Sequence, residues 1–130
     1  MTMELMNEQE IHEFGLQVLV QYLESHGYEI EFAQPEKNSL PHLAAKKGDQ
    51  LVFVIAATDV YPNKGKISEA DKTAVLEHAA QFDAQVACAY LGLANADGVE
   101  SGDKELIGKA YRGARFMTDF SGLEFIYFEN

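Results

Sequence analysis

The chain has 130 residues, enough for one packed core, and 47% hydrophobic with 24% charged residues is a globular rather than a disordered composition. A net charge of −11 repels phosphate backbones at long range, so nucleic acid is not an expected partner. No stretch reaches the roughly 20 apolar residues of a membrane span, the acidic N-terminus lacks a secretory pattern, and the single Cys88 allows no internal disulfide, so the expected compartment is the cytoplasm.

In chain order, residues 7 to 26 read as an amphipathic helix with Ile11, Phe14, Val18, Leu19, Tyr22 and Leu23 on one buried stripe. Asn7 is the expected N-cap, Glu10 completes a capping box, and Gly27 is the stop. Tyr28 to Phe32 alternates apolar and acidic residues like a half-buried strand, and the Pro, Asn and Ser of residues 33–41 mark a loop. Pro41 to Thr58 then forms a β-hairpin turning at Gly48-Asp49, and seven consecutive residues of its second strand, Leu51 to Ala57, carry no charge or hydrogen-bonding side chain. Ser68 caps a second helix running to about Asp83 and burying Val75, Leu76, Ala79 and Phe82. Gln85 to Leu93 is a strand apolar on both faces, the mark of a right-handed crossover onto a parallel neighbour. Residues 94–103 read as a flexible loop, residues 104–115 as a third helix capped by Asp103, and residues 123–128 as a last strand. The expectation is a single mixed α/β domain over residues 1–130, with an α-β-β-β-α-β core over about 8–93 and a C-terminal helix and strand over about 94–130.

This order, together with Pro41, the Gly48 turn and Thr58 in gap-free register, resembles the PD-(D/E)xK nuclease superfamily, the restriction-endonuclease-like fold, over roughly two-thirds of the chain. In that register the resemblance puts His42 at the metal-binding aspartate, Ile55 at the glutamate and Ala57 at the lysine. Mg²⁺ needs hard oxygen ligands, and the lysine would orient the attacking water and offset phosphate charge. Neither Ile55 nor Ala57 can do this, and a single imidazole is a poor Mg²⁺ ligand. The resemblance therefore implies a nuclease scaffold without catalytic residues, with no metal and no cofactor. A relocated site would have to draw on Glu31, Asp59, Glu69 or Lys72, whose spacing fits no known motif.

Elsewhere His12, His26, His42 and His78 lack zinc-ligand spacing, with His12 and His78 expected exposed or partly packed on their helices. Cys88 reads as a small buried hydrophobe, and residues 97–103 lack the alternation of a calcium loop. The best remaining polar feature is Lys109, Arg112 and Arg115, spaced three apart on one side of the third helix, with Tyr111 and other aromatics nearby. It reads either as a solvated face or as a docking patch for an acidic partner, such as the Glu-rich first helix of a second copy.

Three functions compete. The first is an inactive nuclease-like module binding a protein partner or its own copy as a homodimer. The second is a small acidic dimeric α/β chaperone, resembling bacterial secretion chaperones. The third is a metal-dependent nuclease with a displaced site. A parallel pairing of the second hairpin strand with the strand after it, with Phe53 near Ala89, would set the first and third apart from the second. A carboxylate pair within metal reach would set the third apart from the first.

Overall fold

The computed structural model describes residues 4–128. Helix α1 (Glu8–Ser25) starts where the sequence places it: the Asn7 side chain accepts from the Glu10 N–H at 2.8 Å, and the Glu10 carboxylate accepts from the Asn7 N–H at 3.1 Å. Gly27 ends the helical run at φ 87°, a conformation glycine adopts without steric cost. Strand β1 (Glu29–Ala33) pairs antiparallel with β2 (Leu43–Lys47), and β2 with β3 (Gln50–Val60) around the Gly48-Asp49 turn. Helix α2 (Glu69–Ala80), capped by Ser68, carries the chain over to β4 (Gln85–Asn95), which lies parallel to β3. The expected crossover onto a parallel neighbour is present, although Phe53 sits opposite Val86, and Ala89 lies opposite Ala56.

The result is a six-stranded mixed α/β sheet with its two long central strands, β3 and β4, covered on both faces. Val52, Val54 and Ala56 of β3, with Ala87, Ala89 and Leu91 of β4, face Leu16, Leu19 and Leu23 of α1. Phe53, Ile55, Val86 and Cys88 face Val75 and Ala79 of α2. Burying leucines as completely as Leu19 and Leu23 stabilises the fold by roughly 2 kcal/mol each.

The buried stripe of α1 is rotated from the expected one. His12, Gly15, Leu16, Leu19 and Leu23 are buried, while Ile11, Phe14, Val18 and Tyr22 flank the contact. The cause is Gly15, which lies so close to β3 that an added Cβ would stand 1.9 Å from the Thr58 hydroxyl oxygen. That approach draws His12, one turn earlier, into the interior at 2% exposure, contrary to its expected exposure. On α2 the helix stops at Ala80, before Phe82, which is exposed rather than buried.

The C-terminal third departs furthest from expectation. The expected loop at 94–103 contains helix α3 (Ala96–Ser101), because the Asn95 side chain accepts from the Asp97 and Gly98 N–H groups as its cap. The expected helix over 104–115 is a single turn, α4 (Lys104–Ile107), that ends at Gly108; further on, Gly113 has φ 79°, outside helical space. Two strands then follow instead of one, β5 (Phe116–Phe120) and β6 (Glu124–Ile126), both antiparallel to β4 along its free edge. No described helix is long and apolar enough to cross a membrane.

Candidate functional site

Where β3 runs past the end of β2, a cleft of about 320 Å³ opens between the first turns of α1, the 37–42 loop and the segment leading into α2. Positions 42, 55, 57 and 58, which the nuclease register singles out, all line it.

Their chemistry is structural. His42 is 3% exposed, and its Nδ1 accepts the Ala56 N–H at 2.9 Å. The first β2 residue, Leu43, is paired with Val54, so Ala56 has no β2 residue opposite it and the imidazole takes the place of a ladder acceptor. An Nδ1 that accepts leaves the ring proton on Nε2, which donates to the Lys37 carbonyl at 2.8 Å. Both nitrogens of His42 are therefore committed to backbone. Burial pushes its pKa down, against the opposing pull of the Lys37 carbonyl and the nearby Asp71 carboxylate.

Ile55 is 2% exposed and belongs to the α2-side core. Ala57 is roofed by the following loop: a methyl on Gly65 would sit 2.2 Å from the Ala57 carbonyl carbon and 2.5 Å from its Cβ. The place where a lysine side chain would leave the strand is filled by Gly65.

Besides Thr58 and Asp59 of β3, the cleft takes polar groups from α1, the 37–42 loop and the segment leading into α2. The His12 ring lies 4.4 Å from that of His42, tilted by 57°. Burial lowers its pKa to about 4, and the neighbouring His42 and Lys37 push the same way. His12 Nε2 and Thr58 Oγ1 are buried without a protein hydrogen-bond partner. Lys37 pairs with Glu8 across the mouth at 3.3 Å, and Asp59, Lys66 and Asp71 lie on the rim. The signal for His12 was Gly15, since a glycine inside a helix marks a close approach.

The four residues named for a relocated site do not assemble. Asp59 is at this cleft, Glu31 lines a separate groove, and Lys72 pairs with Glu69 at 3.2 Å. Among the described residues no three His, Cys, Asp or Glu side chains come together as a metal site.

The basic patch on one side of a helix over 104–115 is also corrected, because that helix ends at Ile107. Lys109, Tyr111, Arg112 and Arg115 lie on an irregular segment between Gly108 and β5, where the N-terminal residues run alongside: Met6 N–H donates to the Ala110 carbonyl and Arg112 N–H to that of Glu4, both at 2.8 Å. Arg112 grips Glu10 of α1 through two nitrogens, at 2.9 and 2.8 Å, and also pairs with Glu4. Arg115 pairs with Asp97 and Glu100 of α3 at 2.6 and 3.0 Å. Arg112 thus pairs with Glu10 on this chain's own acidic α1. Of the aromatics near this segment, Phe116 packs edge-on against Phe14 and Phe120 against Tyr22, completing the α1 side of the core.

No curated protein matches the chain. Residues 9–126 match the family described as Domain of unknown function (DUF8840), and the chain belongs to that family.

Proposed function

We propose that the chain is a nuclease-like scaffold that has lost its chemistry and acts as a binding or regulatory module for a protein partner. The observation that carries this reading is the commitment of His42: both ring nitrogens serve the backbone, in the register where the resemblance implies a metal-binding aspartate. Ile55 in the core and Gly65 over Ala57 support it, because neither position can present a ligand or an ammonium to a substrate. The parallel β3–β4 pair favours it over the secretion-chaperone reading, in which the second helix leads into antiparallel strands.

One observation favours a second reading, a displaced metal-dependent site: Asp59, Asp71 and Lys66 border the same cleft. The same experiment separates the two. Calorimetric titration with Mg²⁺ and Mn²⁺, with cleavage of single- and double-stranded DNA and RNA assayed on the same sample, is expected to give no saturable binding and no cutting. Metal-dependent cutting that disappears in Asp59→Asn or Asp71→Asn would replace the binding reading with the displaced site.

A further inference from the structure

On the α2 side of the sheet the helix packs on β3 and β4 and does not reach the edge strand β1. The edge strand β1 carries an irregularity that acts on this face. Ile30 lies opposite Ala45 and Phe32 opposite Ala44, so Glu31 is an extra residue, a β-bulge. Ile30 and Ala45 belong to the α1 side of the core, and Ala44 to the α2 side. In a regular strand Phe32 would share the face of Ile30. The bulge instead turns it to the opposite face, where no helix covers it and it remains 46% exposed.

Phe82 meets this groove from the other wall. It lies just past the end of α2, 54% exposed, with its ring 5.7 Å from Phe53 and 5.1 Å from His78. Between Phe32 and Phe82 lies a groove of about 710 Å³ floored by Ala44 and Phe53. Glu31, Asp49 and Asp83 border it, against one cation, Lys46. Two half-exposed phenylalanines from separate elements, one turned there by a bulge, facing an apolar floor with an acidic rim, are the makings of an anchor pocket.

We propose that this groove docks a segment of a partner protein that inserts one aromatic or long aliphatic side chain between Phe32 and Phe82, with Lys or Arg beside it to meet the acidic rim. The rim selects this occupant over a second copy, since a two-fold contact would set Glu31, Asp49 and Asp83 against themselves. The inference rests on the reading of the chain as a binding module and names the partner's chemistry.

The test is selection of random peptides displayed on phage against the full chain, followed by fluorescence-anisotropy titration of the enriched peptide at low and high salt. Phe32→Ser, Phe82→Ser and Asp83→Lys are the variants. All three positions are exposed, and unchanged far-UV circular dichroism and melting confirm that each variant is folded. The expected result is an enriched sequence with Lys or Arg flanking an aromatic or Leu. Its binding should weaken about tenfold or more in either serine variant, and should fall in Asp83→Lys and at high salt. The proposal is overturned by no enrichment, by an enriched sequence lacking basic residues, or by binding indifferent to Phe32 and Phe82. It is also overturned by a concentration-dependent dimer in sedimentation that Phe82→Ser abolishes, which would make the groove a self-interface. Nucleic-acid cleavage assayed on the same preparations keeps the two failures apart: cutting would refute the non-catalytic reading and leave the peptide result standing, while loss of the peptide result leaves the cleavage result untouched.

Discussion

Replacing His42 by alanine removes the acceptor that serves β3 at Ala56, just beyond the end of its ladder with β2, and the cost can be built from its parts. The Ala56 N–H, bonded to Nδ1 at 2.9 Å, becomes a buried donor without a partner, worth about 1–3 kcal/mol. Truncating a ring that is 3% exposed and packed 4.4 Å from His12 adds a cavity term of about 1–2 kcal/mol. The lost bond to the Lys37 carbonyl adds little, because Lys37 is exposed and water can replace the imidazole. The expected total is about 3 kcal/mol, or a fall in Tm of about 10 °C for a chain of this length. Asparagine is the informative comparison: its Oδ1 can stand where Nδ1 stood and accept the same N–H, so His42→Asn should recover about half of the loss. Thermal melts give the global cost, and amide exchange locates it. The Ala56 amide should lose more protection in His42→Ala than its neighbours in β3, and regain it in His42→Asn. A Tm within about 2 °C of wild type, together with unchanged exchange at Ala56, would refute the assignment of His42 as a backbone acceptor.

Three further outcomes follow from the packing and charge. His12 has a folded-state pKa near 4 against an unfolded value of 6.5, so the unfolded chain binds the proton first and stability falls as pH drops from about 6.5 towards 4. His42 acts in the same direction; for His12 alone the loss is about 2 kcal/mol at pH 5, levelling near 3 below pH 4. Urea midpoints across this range should show the fall, and His12→Leu should flatten it; a flat wild-type profile contradicts the burial. Gly15→Ala should destabilise by at least about 1 kcal/mol, since overpacking outweighs the gain in helix propensity. Thr58→Ala in the same chain should relieve that cost only partly, because the Thr58 Cβ also lies 2.8 Å from the added methyl. A stabilised Gly15→Ala would mean that α1 stands further from β3. Arg112→Ala should lower Tm slightly, by an amount that shrinks with salt, because its partners Glu4 and Glu10 are exposed or part-exposed; a large, salt-independent loss would give the Glu4–Arg112–Glu10 cluster a structural weight that surface pairing does not carry.

The central strands were legible because their apolar runs have one explanation: Leu51 to Ala57 and Val86 to Leu93 can bury both faces only between two helical layers. The start of α1 was legible because Asn7 and Glu10 form a local motif that tertiary context does not alter. The C-terminal third failed where glycine outweighed periodicity. Gly108 and Gly113 end what a spacing of three suggested was one helix face, while Asn95 caps a six-residue helix too short to show a period. Within the site, the hairpin register placed His42, Ile55 and Ala57 around one cleft, but the meaning of His42 lay in Ala56 lacking a partner on β2, a consequence of strand length that side-chain pattern does not encode. His12 was hidden for a related reason. A helix stripe counted by hydrophobicity passes over a histidine and a glycine, although Gly15 lies against Thr58 of β3 and His12 is buried one turn earlier.

The claim that the nuclease positions have become scaffold is tested most directly by titrating Mn²⁺ into the ¹⁵N-labelled chain and following paramagnetic broadening, with cleavage assayed on the same sample. The account predicts only weak, diffuse broadening over the exposed carboxylates, none centred on His42, Ala57, Asp59 and Asp71, and no cutting. Saturable broadening centred on those four residues, accompanied by Mn²⁺-dependent cleavage, would contradict it and place a working metal site in the cleft.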